Sequence, residues 1–328
     1  TKTQGPPVSP KNENTSAAPN PPVIFLAGTT ACGKTDLALR LAREFPFDLV
    51  SVDSGQVYRG MDIGTAKPAP SVLERTPHGL INIRDVQRPY SAADFRTDAQ
   101  ELISESRSRG RIPLCVGGTL FYFSALLHGL SDLPPADAPL RATLEEEATA
   151  IGWQGLYERL HRLAPDAARQ IAPEDRQRIL RALEIHMLAG GAGKAATRIG
   201  GLMGSNVRVL KLCLFFSDRA VLHERISQRF KLMLEQGFLE EVEDLKSAFP
   251  DARQTPAMRS VGYQQAWGFL QGETSREQFE EDVQTATRRL AKRQLTWLRN
   301  EPGWIWFDAL NPRVLEGISR FLVAAGCR

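Results

Sequence analysis

Gly28, Gly33, Lys34 and Thr35 stand at the spacing G-x-x-x-x-G-K-[ST], with Thr29, Thr30, Ala31 and Cys32 between them. Residue types in this pattern are suited to anion capture. Glycines let successive backbone N–H groups turn inward, Lys34 neutralises phosphate oxygens, and the Thr35 hydroxyl is placed to ligate Mg²⁺. A chance Gly/Thr turn would share the letters without the context. Here residues 23–27 form an unbroken apolar run, as in a strand covered on both faces, and residues 35–44 carry leucines at helical spacing. The loop alone leaves open which phosphate compound it holds. Two more oxygen-bearing side chains follow apolar runs: Asp53 after residues 47–52, and Thr119 after residues 112–116 and a glycine pair. In a parallel sheet the carboxyl ends of strands surround the ligand crevice, so Asp53 would sit beside the loop and Thr119 would share that edge. Each has a plainer reading, Asp53 as a turn or N-cap aspartate and Thr119 as a helix cap.

The elements that must position these groups follow from pattern. Candidate strands at 23–27, 47–52, 79–83 and 112–116 alternate with helices. One helix opens on the capping-box form Ser91-Ala-Ala-Asp94 and runs to about residue 109. This alternation predicts an α/β fold built on a parallel sheet flanked by helices. It stops near residue 130, and residues 139–189 read as helix throughout, with turn signals at Gly152-Trp153 and Ala164-Pro165. That stretch is too long for a crossover, so an inserted all-helical subdomain over 131–206 is expected, its Gly-rich end at 190–206 a mobile loop. A strand at 207–216 returns the chain to the core, which thus comprises 23–130 and 207–328. A helix over 218–236 buries Leu222, Ile226, Phe230 and Met233, with Arg225 and Arg229 one turn apart beside that stripe. Gly262 inside residues 258–265 implies a close approach. Over 285–299, Arg288, Arg289, Lys292, Arg293 and Arg299 fall on one side of a helix, and Leu290, Ala291, Leu295, Trp297 and Leu298 on the other. Such a stripe is either a solvated face or a nucleic-acid phosphate contact. A short strand at 304–307 and a helix at 312–325 close the chain.

Composition narrows the classes. Hydrophobic residues make up 42% and charged residues 24%, as in an ordinary globular protein, and the net charge of +3 leaves any nucleic-acid role to local basic clusters. Cys32, Cys115, Cys213 and Cys327 are far apart, which points to neither a zinc site nor a disulfide framework and fits a reducing compartment. No apolar run approaches the roughly 18 residues of a membrane span. Residues 1–22, rich in Pro, Asn, Ser and Thr, lack a signal-peptide core and are expected to be a disordered tail.

Taken together the motifs resemble the tRNA dimethylallyltransferases, or tRNA isopentenyltransferases. After the phosphate loop come Asp53-Ser54, Gly60-Met-Asp-Ile-Gly-Thr-Ala-Lys-Pro68, Val116-Gly-Gly-Thr119, Gln177-Arg-x-x-Arg181, Arg225-Ile-x-x-Arg-Phe-x-x-Met233, Arg259-Ser-Val-Gly-Tyr263 and Ala291-Lys-Arg-Gln-x-Thr-Trp-Leu-Arg299. The resemblance covers residues 23–308. It implies a P-loop NTPase-like sheet. It also implies transfer of a dimethylallyl group from its diphosphate to the exocyclic amine of the adenosine 3′ of the anticodon, tRNA position 37, with release of diphosphate. The bound phosphate is then a leaving group. Gly28, Thr29, Thr30, Ala31, Cys32, Gly33, Lys34, Thr35 and Arg229 would hold the diphosphate, with Mg²⁺ on Thr35. Asp53 would accept the proton of the amine, and Thr119 would hold the amine or the bridging oxygen. Contacts to tRNA would come from Asp53, Ser54, Gly55 and Gln56, from Gln177, Arg178, Ile179, Leu180 and Arg181, and from Arg259, Ser260, Val261, Gly262, Tyr263 and Gln264. The helical insert would grip the anticodon stem, and a cytoplasmic, membrane-free monomer is expected.

The chain departs from the family pattern at a few positions. Thr29 and Cys32 replace the usual Pro and Ser of the loop. Both positions contribute chiefly backbone amides, so anion binding should survive, and Cys32 adds an oxidisable thiol. Gln264 stands where Arg is common and Arg176 where Pro is common, which bears on tRNA contacts and not on the reaction. No Cys/His zinc finger follows the last helix, so a bacterial-type enzyme is expected. Three rivals share the loop. A small-molecule or nucleoside kinase would need a lid arginine set that is not recognisable here. An adenylate isopentenyltransferase would not need residues 130–206, and a non-catalytic RNA-binding module would not need both Asp53 and Thr119.

Overall fold

The computed structural model describes residues 21–190 and 198–327. The expected tail (save its last two residues), and residues 191–197 of the expected mobile loop, lie outside them. In chain order the first half runs β1 (Val23–Gly28), α1 (Lys34–Glu44), β2 (Phe47–Val52), α2 (Pro70–Arg75), β3 (His78–Gly79), α3 (Ala92–Ser108), β4 (Ile112–Gly117) and α4 (Leu120–His128). Next come β5 (Leu130–Ser131), α5 (Ala138–Leu163), α6 (Pro165–Ala168), α7 (Arg176–Leu188) and β6 (Arg198–Ile199). The chain closes with β7 (Val209–Phe215), α8 (Arg219–Glu235), α9 (Phe238–Ala248), α10 (Tyr263–Leu270), α11 (Arg276–Asn300), β8 (Ile305–Asp308) and α12 (Val314–Ala324).

Six strands form one parallel sheet in the order β3-β2-β4-β1-β7-β8. The apolar run of β1 is buried at every position, because β4 and β7 flank it and helices cover both faces. On one face Ile24 and Leu26 pack with Leu37 and Leu41 of α1 and Ile318 and Leu322 of α12. On the other, Phe25 meets Phe123, which in turn meets Trp304 edge-on. The step from β1 to β2 passes over β4, so the carboxyl end of β4 lies between the other two, where such sheets open a crevice. A Cβ on Gly117 would lie 2.0 Å from the Val52 carbonyl oxygen, so only glycine lets β4 and β2 end this close together. The capping box forms as expected: Ser91 Oγ accepts from the Asp94 amide, and Asp94 accepts from the Ser91 amide.

Residues Ser124–Ser205 make a separate compact unit. Its core is Leu144, Leu156, Leu160, Ile179 and Leu183, and Gly152, at φ 76° and ψ 161°, breaks α5 where the turn signal lies. Glu184 is fully buried there and accepts from both Arg141 and Arg181 and from the Asp137 amide. Burial pushes its pKa up, but the Arg181 and Arg141 hydrogen bonds outweigh this and leave it below the ordinary value.

Two expectations need correction. The strand at 79–83 shortens to His78–Gly79, because Leu80 and Asn82 take left-handed φ values of 65° and 56° and end the extended run. The loop expected over 190–206 is structured after residue 197: β6 pairs antiparallel with β5, and the Leu202 and Met203 amides donate to Leu126 and Leu127. Among the described residues no helix is long and apolar enough to cross a membrane.

Candidate active site

The phosphate loop joins β1 directly to α1. Ala31 (φ 63°) and Gly33 (φ 87°) are both left-handed, which folds the loop back and turns its amides toward the helix axis. Gly33 is the N-cap of α1 and supplies no side-chain cap, so the first amides of the helix are left for an anion. Lys34 Nζ reaches back to the Thr29 carbonyl at 2.6 Å and to Cys32 Sγ at 3.6 Å. Cys32 is buried, with the loop folded over it. Thr29 is also buried, and its hydroxyl has no hydrogen-bond partner among the described residues.

Asp53, at the end of β2, caps its own turn: Oδ1 accepts from the Gly55 amide at 2.8 Å and the Gln56 amide at 3.2 Å. The plainer reading of Asp53 is therefore realised on one oxygen, while Oδ2 has no hydrogen-bond partner among the described residues. Thr119 Oγ1 accepts from the Ser54 amide at 3.0 Å, which fixes the hydroxyl beside the Asp53 turn. Arg229 on α8 donates to Thr30 Oγ1 at 3.3 Å, and neighbouring Arg225 donates to the Ala31 carbonyl at 3.1 Å. Burial pushes the Arg229 pKa down and the charge of Asp53 pushes it back up. No carboxylate pairs with Arg229 among the described residues, so its guanidinium is available to an incoming anion.

One residue that ties these parts together carried no assigned role in the sequence. Gln294 of α11 accepts from the Thr30 amide at 2.8 Å and donates to the Gly118 carbonyl at 2.9 Å. It is buried and joins the phosphate loop to the turn that carries Thr119. Its partner Thr30 is 264 positions away, so no local pattern could have announced it. The available signal was its fixed place in the motif Ala291-Lys-Arg-Gln-x-Thr-Trp-Leu-Arg299, as a glutamine inside a run of cations.

Asp53, Thr119, Arg229 and Thr30 line a cavity of about 480 Å³ whose other walls are mostly apolar, including Ile226, Phe230, Met233, Leu290 and Trp297. A smaller space of about 100 Å³ joins Lys34, Thr35, Ser51, Asp53, Gln56 and Arg229. Among the described residues no cluster of three His, Cys, Asp or Glu could hold a metal unaided. Beside the cations of Lys34 and Arg229, the small space offers the oxygens of Thr35, Ser51 and Asp53, a set that suits a hard cation when phosphate and water complete its shell.

The far wall is set by Glu241 of α9. Its Oε2 accepts from the Asp62 and Ile63 amides at 2.8 and 2.6 Å, and its Oε1 accepts from the Gly64 amide at 3.1 Å and the Tyr263 hydroxyl at 2.5 Å. Tyr263, expected among the tRNA contacts, is thus a buried wall whose hydroxyl is already engaged; burial and Glu241 hold its pKa well above the ordinary value. Ser260, Val261 and Gly262 line the same cavity, whereas Arg259 and Gln264 are exposed. In α11, Leu290, Arg293 and Trp297 line it together, so the expected segregation of cations and apolar residues to opposite sides is corrected: positions 290, 293 and 297 are three and four apart and share one helix face.

The helical unit divides its expected tRNA residues differently. Gln177 and Arg178 are exposed, Ile179 and Leu180 are packed in the core, and Arg181 is committed to Glu184 and the Pro134 carbonyl. The side chains of Ile179 and Leu180 are therefore corrected from contacts to core.

Comparison with known proteins bears on this arrangement. Residues 56–301 match the family model described as IPP transferase. The chain is 47% identical over 315 residues to tRNA dimethylallyltransferase 2 of Hahella chejuensis, covering 92% of this chain and 95% of that one. A crystal structure of a full-length tRNA isopentenylpyrophosphate transferase from Bacillus halodurans superposes with a TM-score of 0.68 at 33% identity, over 92% of this chain and 96% of that one. A eukaryotic dimethylallyltransferase, captured in crystallographic snapshots acting on tRNA, gives 0.71 at 26% identity, over 93% and 78%. With a family model matched over more than half its length and a close relative covered almost end to end, the chain belongs to the IPP transferase family, that of the tRNA dimethylallyltransferases.

Proposed function

We propose that the chain transfers a dimethylallyl group from dimethylallyl diphosphate to the exocyclic amine of the adenosine 3′ of the tRNA anticodon. One observation carries this reading: a phosphate loop, an aspartate with a spare oxygen and an unpaired arginine converge on a largely apolar cavity. The uncapped amides of α1, Lys34 and Arg229 hold the diphosphate. The oxygens of Thr35 and Asp53 would hold Mg²⁺ beside the bound phosphates, and when bound it would supply further neutralisation of the phosphate oxygens. The target adenine is taken out of the anticodon loop into the cavity, since it cannot be reached while stacked.

The proposed reaction uses these placements. The amine nitrogen bonds to the first carbon of the dimethylallyl group as that carbon's bond to oxygen breaks. The electron pair leaves with the diphosphate, where the loop amides, Lys34 and Arg229 stabilise the developing charge. The amine proton passes to Asp53 Oδ2, the oxygen its own turn does not use. Thr119 Oγ1, held by the Ser54 amide, orients the amine. Exposed Gln177 and Arg178 of the helical unit, with Arg259 and Gln264, supply contacts to the anticodon stem-loop. We place the reaction in the cytoplasm, with a monomer as the working unit. The test is incubation with dimethylallyl diphosphate, Mg²⁺ and unmodified tRNA, with AMP as control. A prenyl mass on the adenosine beside the anticodon is expected; none on tRNA, or label on AMP alone, would overturn the reading.

A further inference from the structure

All 15 Phe, 5 Tyr and 5 Trp side chains lie among the described residues, and of these Phe121 alone is exposed, at 59%. A single apolar group in water is ordinary. The position of this one is not. It follows Thr119 by two residues and lines the 480 Å³ cavity, so its ring lies at the mouth of that cavity. Its neighbours hold it in place: Leu120 and Tyr122 are buried, the Tyr122 hydroxyl donates to the Tyr90 carbonyl at 3.0 Å, and the Tyr122 ring stacks on Phe95 at 4.5 Å. Phe121 is therefore an aromatic face presented on a rigid base. Arg293, exposed and without an ion pair among the described residues, lines the same cavity.

A rigid aromatic face with a cation nearby is the arrangement that stacks an unpaired base while neutralising its phosphate. Drawing one nucleotide into the cavity strips its neighbour of a stacking partner, and the ring at the mouth is placed to replace it. We propose that Phe121 stacks on the nucleotide flanking the target adenosine. This rests on reading the cavity as the seat of that adenosine.

The test uses the full chain and an unmodified anticodon stem-loop, with RNA binding read by fluorescence anisotropy and prenyl transfer measured separately. Phe121→Ala should weaken RNA binding and raise the KM for RNA about five- to a hundredfold, the range for losing one base–aromatic stack. The KM for dimethylallyl diphosphate should stay put. Phe121→Leu, apolar without a π-face, should behave like Phe121→Ala, and Phe121→Trp should restore binding. An RNA lacking the base at the contacted flanking position should bind the unsubstituted protein as weakly, with no further loss on Phe121→Ala. Full binding by Phe121→Leu, or losses that simply add, would overturn the proposal. Transfer that ignores position 121 would overturn it and leave the proposed function standing; RNA binding that depends on position 121 without any transfer would do the reverse.

Discussion

Arg229 and Arg181 belong to similar-looking motifs, yet the two units use them in opposite ways. In the sheet unit, Arg229 donates to the Thr30 hydroxyl and forms no ion pair with a carboxylate among the described residues, and burial lowers its pKa. In the helical unit, Arg181 and Arg141 close on the buried Glu184 and are spent on holding three segments together. The first is an arginine waiting for an anion; the second already has one, built into the protein. Spacing along a helix does not distinguish the two, whereas the partner does.

The predictions bear on that contrast, beginning with the largest effect. Asp53→Asn keeps an oxygen for the turn but removes the proton acceptor, so kcat should fall by about 10²–10⁴-fold, with tRNA binding retained in a filter assay. Undiminished turnover would leave Asp53 as a turn residue only. Glu184→Ala should destabilise the helical unit by about 1–3 kcal/mol, because it removes the shared acceptor of the Asp137 amide and of two partly exposed guanidinium groups, seen as a lowered first transition in thermal melting of the full chain. Arg229→Ala should instead leave melting nearly unchanged and reduce kcat by about 10²–10³-fold, the scale for losing one positioned charge stabiliser. If Arg229→Ala melts early and Glu184→Ala does not, the contrast is wrong. A pH series sharpens it. The Glu184 pKa is depressed in the fold, so its stabilisation is full above its ordinary value of 4.5 and is lost as pH falls below that. Glu184→Gln should flatten that acid limb. The smallest effect belongs to α11: replacing Arg289, Lys292 and Arg293 by alanine should reduce the slope of log Kd against log salt for RNA by about 2, on roughly 0.7 per phosphate contact. An unchanged slope would make that stripe a solvated face.

Legibility in the sequence followed the range of the interactions. The strand–loop–helix around Lys34, the capping box at Ser91 and the break at Gly152 were all readable, since each depends on residues within a few positions. The helical insert was readable from a change of period. Gln294 and Glu241 were not, because their partners lie 264 and 177 to 179 positions away and depend on how helices settle against strand ends. At Ile179 and Leu180 the motif marked a segment, while helical spacing already put these apolar members on the packing side, in the core that presents the polar ones.

Three consecutive amides converging on one point, as at Asp62, Ile63 and Gly64, form a concavity that would attract any small anion. Glu241 fills it permanently from within. The cluster of amides at residues 62–64 is thus closed from within, and the one at the start of α1, beside Asp53, is left for a diphosphate.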